Sequence, residues 1–322
     1  MYLFHLGTGG MTHTLVHLGR SLSVCKSQNR LLVPNQAQPD VGFDEVFDIN
    51  SNTIVGINTL KVKYQKIIKG LSAYSDPSSK EYTIYNNMGG ILTEKDNAFI
   101  QKIPTVNNDY VISVGAVGAK DNYFINPVDR MKYYLNISLN EIRLKNNIYK
   151  YALRFQQQLP ERYIGVHFRN TDYRNDLVTM VEQIRKICKS LNCYNVFIAT
   201  DCPSSIELFK IKLPNMSIYY NNNIPDPTTL LGSPFQSNTP QTFKNTWDVM
   251  KGKTNALHLL EKYTLFKLGL SNQKLVTEFF TDLMCLILST QFIPSEITSV
   301  THLVNAFRWN TPLFNKFWGL KK

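Results

Sequence analysis

The stretch from Arg162 to Asp176, RYIGVHFRNTDYRND, constrains the fold of this chain more than any other. Its first half, Tyr163 to Phe168, is a short apolar run with β-branched and aromatic members, which is typical of a buried strand in a parallel sheet. An apolar periodic run from Leu177 to Leu191 follows and predicts a helix. A strand, a turn and a helix in this order predict the first half of a βαβ unit.

A second strand completes this unit. The apolar run from Val196 to Ala199 ends in Thr200 and Asp201, and a helical run from Ser204 to Lys210 follows. Parallel strands joined by a helix have their carboxyl ends at the same edge of the sheet. Because ligands bind at that edge in open α/β sheets, the polar residues that end both strands are expected to share one crevice.

Two polar side chains interrupt the end of the first strand. His167 and Arg169 are two residues apart, so they should point to the same face. A guanidinium in a crevice can bind phosphate oxygens through two parallel hydrogen bonds. The alternative is an ordinary core strand with a surface salt bridge between Arg169 and Asp172. The HxR pattern by itself favours that alternative, whereas the βαβ context favours an anion site.

Three segments together resemble the motifs of fucosyltransferases that use GDP-fucose. They read IGVHFRNTD, VFIATDCPSS and, later, the helix and strand from Val276 to Ser295. The family comprises α1,6-, α1,2- and protein O-fucosyltransferases, including the bacterial Nod-factor enzymes. Its pattern is a strand ending HxRxxD, a second strand ending ATD, and a late helix and strand with an acidic residue and a serine-rich turn.

The resemblance implies an α/β fold of the GT-B type, with two Rossmann-like domains facing each other across a cleft. Residues 1–158 would form the acceptor-side domain, 159–300 the domain that binds the nucleotide sugar, and 301–322 a helix packing back across both. The boundary follows from an amphipathic helix predicted for Leu139 to Gln158, which Leu159 and Pro160 end.

The resemblance also implies which residues contact the donor. Arg169 would stabilise the negative charge that develops on the leaving diphosphate. The turn that carries Ser295 reads QFIPSE, which departs from the serine-rich turn of the family. The other implied positions are His167 and Asp172 close to the nucleotide, Asp201 and Glu278 near the nucleoside, and Ser295 on the diphosphate.

A glycine-rich turn, GTGG, joins a predicted strand over Tyr2 to Leu6 to a predicted helix over Met11 to Val24. Such a turn lets the backbone approach a ligand, and the start of a helix favours negative charge. The turn matches neither GxGxxG nor a P-loop. The resembled family has a glycine-rich loop here, which implies donor contacts at Gly7, Gly9 and Gly10.

The identity of the general base stays open. In the α1,6 enzymes a glutamate follows the first motif, but this chain has Leu177 there, with Asp176 just before it. Asp176 is one candidate and Asp172 its rival. The alternative for Asp176 is an amino-terminal helix cap. Tyr173 replaces a lysine of the α1,6 enzymes and resembles the α1,2 subgroup, so the acceptor is not specified.

The formal net charge of +11 favours a polyanionic partner. The basic residues form no dense run with interleaved aromatics, so a nucleotide pyrophosphate is a better partner than nucleic acid. No DxD-type carboxylate pair suggests a metal. No apolar run approaches the ~20 residues of a membrane-spanning helix. A strand predicted almost from Met1 leaves no room for a signal peptide, which favours a cytoplasmic protein or one domain of a longer one.

Three functions remain open. The first is inverting, metal-independent transfer of fucose from GDP-fucose to a glycan or protein hydroxyl, without a cofactor. The second is transfer of another nucleotide sugar by the same fold, and the third is a non-catalytic nucleotide- or glycan-binding module. The segment 221–246, rich in Asn, Pro, Ser and Thr, is as consistent with a mobile loop near the cleft as with a passive surface loop.

Overall fold

The chain forms two compact units, each described here by itself. A computed structural model describes residues 2–6, 11–27, 29–35, 43–56, 59–62, 83–87, 110–115, 126–168, 176–200, 205–223, 272–295 and 299–320. The first unit comprises Met1–Asn147 together with Asn305–Lys322, and the second comprises Ile148–Val304. The predicted boundary lies after Gln158, whereas the second compact unit begins at Ile148.

The described strands and helices alternate along much of the chain. The strands are β1 Tyr2–Leu6, β2 Leu31–Asn35, β3 Phe47–Ile49, β4 Thr83–Asn87, β5 Tyr110–Gly115, β6 Ile142–Leu144, β7 Ile164–Phe168, β8 Asn195–Thr200, β9 Ser217–Tyr220 and β10 Gln291–Ile293. The helices are α1 Met11–Ser27, α2 Phe43–Val46, α3 Pro127–Ser138, α4 Asn146–Gln156, α5 Leu177–Leu191, α6 Ser205–Lys212, α7 Asn272–Leu288, α8 Ser299–Arg308 and α9 Thr311–Phe317. Among the described residues, no helix is both long and apolar enough to span a bilayer.

Each unit contains a four-stranded sheet whose pairs are all parallel. The strand order is β2-β1-β5-β4 in the first unit and β10-β7-β8-β9 in the second. A separate antiparallel pair joins β3 to β6 in the first unit. Parallel strands connected through helices confirm the predicted α/β class. The βαβ unit predicted around the HxR motif is confirmed as β7, α5 and β8, because β7 and β8 pair in parallel.

Helix α1 packs closely against α3 in the first unit. Leu15, Leu18 and Leu22 recur at helical spacing and are buried, which agrees with the predicted amphipathic run. Between them, Gly19 lies against the backbone of Tyr134, where an added Cβ would be 2.3 Å from the carbonyl oxygen. Only a residue without a Cβ allows this close approach.

The aromatic tail is part of the core of the first unit. Phe317 and Trp318 are buried, and their rings lie 5.1 Å apart in an edge-to-face contact. The Phe317 ring also lies 6.4 Å from Phe47 on β3 and 5.0 Å from Phe307 on α8. These contacts bury large apolar surfaces, which is a dominant stabilising contribution in folded domains.

The sheet of the second unit is buried on the faces that its sequence predicts. Ile164 and Val166 on β7 and their neighbours Val196 and Ile198 on β8 have no exposed surface. Helix α5 covers one side with the bounds that its periodicity predicts. On β7, Gly165 lies against the end of α7, where an added Cβ would be 2.7 Å from the Ser289 hydroxyl.

The helix predicted over Leu139 to Gln158 is wrong in its first part. Helix α3 ends at Ser138, the short strand β6 follows, and α4 begins only at Asn146. Ile142 and Leu144 are buried on either side of an exposed residue and pair with β3. These three residues therefore follow the two-residue period of a strand rather than the period of a helix. The missed start of α3 carries a plain signal, because Asn126 caps the helix and a proline follows it.

Candidate functional site

The described residues of the predicted site lie at the carboxyl edge of the second sheet. Phe168 pairs with Thr200, so β7 and β8 end side by side. On the flanks, β9 ends at Tyr220 and β10 at Ile293. Ligands of parallel α/β sheets bind outside this edge. Polar residues at or just beyond these strand ends are His167, Thr200, Asn221 and Ser295.

His167 and Ser295 are in direct contact. The imidazole Nδ1 lies 2.8 Å from the serine Oγ, although the two residues are 128 positions apart in the chain. Ser295 is only 3% exposed and His167 is half-buried. The contact joins the ends of β7 and β10, so the first and third motifs meet at one point.

Glu278 lies on α7 and is buried, with 1% of its surface exposed. Its Oε1 accepts a hydrogen bond from the Tyr151 hydroxyl at 2.7 Å, and its Oε2 accepts one from the Asn221 amide at 2.9 Å. Burial and the hydrogen bond to Glu278 raise the pKa of Tyr151 to about 12, so the phenol is a donor at neutral pH. Two donors thus compensate for the burial of the carboxylate.

Two further hydrogen bonds close these contacts into a ring. The backbone N–H of Asn223 donates to Asn221 Oδ1 at 3.1 Å, and the Asn223 side-chain amide donates to the Tyr151 hydroxyl oxygen at 3.3 Å. We call Tyr151, Asn221, Asn223 and Glu278 the Glu278 network. It connects α4, the turn after β9 and α7 around the carboxyl edge.

Asp282 lies one helical turn after Glu278 and was not predicted from the sequence. The residue is 8% exposed, and its buried Oδ1 has no hydrogen-bond partner in the described part of the chain. Burial raises its pKa well above the usual range, the nearby Asn221 side chain opposes that rise, and the charge of Glu278 adds to it. Its sequence signal is an acidic residue within the apolar run FFTDLMCLIL.

Asp176 caps α5. Its carboxylate accepts hydrogen bonds from the backbone N–H groups of Val178 and Thr179 at 3.1 and 3.2 Å, and from the Thr179 hydroxyl. These bonds lower the pKa of Asp176, led by the Thr179 hydroxyl. The capping alternative is therefore confirmed. A carboxylate with a lowered pKa is a weaker proton acceptor, which favours the cap over the general base.

Several predicted positions lie outside the described residues. Among the described residues, no group of three or more His, Cys, Asp or Glu is arranged to hold a metal. The segment 221–246 is described only as far as Asn223. The predicted site residues outside the described ranges are Gly7, Gly9, Gly10, Arg169, Asp172 and Asp201.

A concavity of about 410 Å³ lies in the first unit beside β3. Apolar side chains of β3 and of the segment around Ile54 form part of its wall. Carboxylates, hydroxyls and an ammonium group give the rest of the lining a mixed charge. None of the predicted site residues lines it. The polar lining residues are Asp44, Asp48, Ser51, Thr59 and Lys145.

Comparison with known proteins identifies the fold. No protein-family model matches the sequence, and no curated protein matches it. The apo form of POFUT1 matches with a TM-score of 0.56 and 12% identity over 97% of this chain and 95% of that chain. POFUT1 in complex with GDP-fucose matches with a TM-score of 0.52 and 11% identity, over 95% of this chain and 93% of that chain. NodZ α-1,6-fucosyltransferase soaked with GDP-fucose matches with a TM-score of 0.50 and 10% identity, over 95% of this chain and 91% of that chain. The chain therefore has the fold of these proteins over nearly its whole length.

Proposed function

We propose that the chain is an inverting, metal-independent glycosyltransferase that transfers fucose from GDP-fucose to a hydroxyl of a glycan or protein. The observation that carries this is the contact between His167 and Ser295, which joins two of the three motifs at the carboxyl edge. The fold shared with POFUT1 and NodZ supports the donor, because POFUT1 has been solved in complex with GDP-fucose and NodZ from crystals soaked with it.

The reaction requires two kinds of help. As the acceptor oxygen forms its bond to the anomeric carbon, it loses a proton to a base, and the bond to the diphosphate oxygen breaks. The leaving GDP gathers negative charge, which Arg169 is proposed to stabilise. The loss of one such preorganised donor typically costs about a hundred- to a thousandfold in rate. A fixed arginine in this role makes a divalent ion unnecessary.

The His167–Ser295 contact gives the serine a role beside the diphosphate. When the Nδ1–H of His167 donates to Ser295 Oγ, the serine hydroxyl keeps its own hydrogen for a phosphate oxygen. Charge-assisted bonds of this kind are stronger than neutral ones. His167 thus orients the Ser295 hydroxyl, and both side chains together would hold the leaving diphosphate in line with the acceptor oxygen.

Recognition of guanine is assigned to Asp282. Guanine presents two adjacent donors, N1–H and the exocyclic amine, which match the two oxygens of a carboxylate. Both oxygens of Glu278 already accept bonds from the protein, whereas Asp282 has a buried oxygen without a described partner. Burying an unsatisfied acceptor is costly, and a ligand that supplies the donor recovers that cost. Glu278 would then act on the nucleoside site indirectly, by holding Asn221. Asp201, which follows β8, would also lie near the nucleoside.

Calorimetric titration tests the proposal directly. GDP, UDP and ADP are titrated without added metal into the wild type, Arg169→Ala and Arg185→Ala, an exposed arginine on α5. We expect selective binding of GDP, at least about tenfold weaker binding in Arg169→Ala because a charge-assisted phosphate contact is lost, and no change in Arg185→Ala. Preference for UDP or ADP would instead support a transferase for another nucleotide sugar.

A second assay separates an enzyme from a binding module. GDP-fucose is incubated with a panel of glycan and peptide acceptors, with and without a chelator, and GDP release is followed. Acceptor-dependent release that the chelator leaves unchanged supports a metal-independent transferase, and the anomeric configuration of the product tests inversion. GDP binding without any release from GDP-fucose across the panel would favour a non-catalytic module.

A further inference from the structure

We propose that Tyr151 is a positioning residue for recognition of the nucleotide base and acts through Glu278 and Asn221 on Asp282. This inference rests on the proposed function, because it assigns the base to Asp282. Tyr151 lies on α4, outside the three motifs, and the residue is 39% exposed while its hydroxyl donates to the buried Glu278. Its influence on the base is therefore indirect.

The Glu278 network leaves Asn221 only one orientation. Asn221 Oδ1 accepts the backbone N–H of Asn223, so its amide nitrogen must face Glu278. A flip of this amide would turn an oxygen toward the carboxylate and an N–H group toward another N–H group. Since buried polar groups need matched partners, the network holds Asn221 with its donors toward the acidic side of α7.

Asn221 is also the link to Asp282. Its side chain stabilises the charged form of Asp282, whereas burial and the charge of Glu278 destabilise it. These opposing influences act on the carboxyl group whose Oδ1 has no described partner. The position of Asn221 therefore decides how readily Asp282 offers a negatively charged acceptor to a base.

Tyr151 closes the ring through its bonds to Glu278 and Asn223. Without the Tyr151 hydroxyl, Oε1 of Glu278 loses the hydrogen bond that Tyr151 donates, and the Asn223 side-chain amide loses the oxygen to which it donates. The other donors of the network are the amides of Asn221 and Asn223. When the Asn221 amide turns toward the vacated oxygen of Glu278, Asn221 loses its alignment with Asp282. Networks of this kind respond as a unit because each bond polarises its neighbours.

The experiment measures the selectivity for the base as well as affinity. GDP, IDP and UDP are titrated into the wild type, Tyr151→Phe and Tyr194→Phe; IDP lacks the exocyclic amine. Tyr194 is an exposed tyrosine of the same unit and lies outside the Glu278 network. We expect Tyr151→Phe to bind GDP about tenfold more weakly, since a bond to a charged group is lost, and to lower the GDP-to-IDP affinity ratio. UDP affinity and the Tyr194→Phe variant should be unchanged.

A double-mutant cycle shows whether Tyr151 acts through Asp282. In an Asp282→Asn background, Tyr151→Phe should leave the GDP-to-IDP ratio where Asp282→Asn has already set it, because coupled residues are not additive. A general loss of structure would instead weaken all three nucleotides alike and lower the melting temperature.

The outcomes separate this inference from the proposed function. If the wild type does not prefer GDP, the proposed function fails and the inference fails with it. If the wild type prefers GDP but Tyr151→Phe keeps its GDP-to-IDP ratio, or weakens all three nucleotides alike, only the inference is overturned. An additive double mutant also overturns it, because Tyr151 then acts on the nucleotide without Asp282.

Discussion

Each unit contains a parallel sheet of four described strands, yet buried polar side chains such as Ser138 in the first unit and Glu278 in the second make different kinds of contact. In the second unit, side chains at or just after strand ends bond to side chains distant in the chain, as His167 does with Ser295 and Asn221 with Glu278 on α7. In the first, the buried Ser138 hydroxyl bonds to the backbone of α1 and α3, which fastens two helices together. A parallel sheet is therefore a scaffold, and a site arises only where buried side chains are arranged for a ligand.

The largest loss of stability is expected from a substitution that disturbs the packing of α1 against α3 in the first unit. Gly19→Ala should destabilise the first unit by about 3 kcal/mol or more, because the new Cβ meets the rigid backbone of Tyr134 at 2.3 Å. The gain of about 1 kcal/mol in helix propensity cannot offset this clash. Urea denaturation measures the loss. Gly56→Ala is the control, since its nearest neighbour is the Asp44 side chain at 3.3 Å, and an equal loss in both would refute the explanation.

The matching substitution in the second unit should affect ligand binding as well as stability. Gly165→Ala places a Cβ 2.7 Å from the Ser289 hydroxyl and pushes β7 away from α7, which carries Glu278 and Asp282. We expect a loss of about 2 kcal/mol and weaker GDP binding. Ser289→Gly in the same chain removes the clash and should restore both. If stability is restored but GDP binding is not, the position of α7 does not determine GDP binding.

A smaller effect, with a defined pH dependence, is expected at Asp282. Its pKa is raised in the folded protein above the 3.8 of a free side chain, so its contribution to stability is fully present below that value. The contribution is lost as the pH rises toward the folded-state pKa. Asp282→Asn should therefore gain stability relative to the wild type as the pH increases, while binding GDP more weakly.

Urea denaturation at pH 5 and pH 8 measures this difference. The exposed Asp129→Asn is the matched control, because it removes a carboxylate that is not buried. If Asp282→Asn is less stable than the wild type at both pH values, Oδ1 of Asp282 has a protein partner and is not kept for a ligand. Site residues that cost stability in this way are expected where a ligand supplies the missing partner.

The smallest change in stability is expected at Asp176, which caps the amino terminus of α5. Asn is as good a cap as Asp, so Asp176→Asn should keep both the melting temperature and the proposed transferase activity, whereas Asp176→Ala should lower the melting temperature modestly. Thermal unfolding and GDP release measure the two properties. Loss of activity in Asp176→Asn at an unchanged melting temperature would identify this residue as the general base.

Elements with strong local signals could be predicted from the sequence. Helix α5 begins and ends where its apolar period does, because its face covers β7 and β8 and its cap is local. Strands β7 and β8 were found for the same reason, since parallel strands buried on both faces read as apolar runs. The segment 139–144 was misassigned because a strand of three residues, Ile142–Leu144, is too short to show its period against a neighbouring helix.

The candidate site could be predicted only in part. His167 could be predicted from its place at the end of an apolar strand, and Ser295 from the resemblance of its segment to a family motif. Tyr151 and Asp282 were missed because their importance depends on burial and on partners distant in the chain; Tyr151 and Glu278 are 127 residues apart. Periodicity reports which face of a helix is buried, but it does not report that a buried carboxyl has no partner.

The position of the tail within the first unit has a consequence for biosynthesis. Phe317 and Trp318 belong to the core of a unit whose other part ends at Asn147, so the ribosome must complete the second unit before the first can close. At about 5–20 residues per second, the unfinished core waits on the order of ten seconds with its apolar faces uncovered. Cotranslational chaperones are thus expected to engage the nascent amino-terminal half, and to leave once the tail emerges.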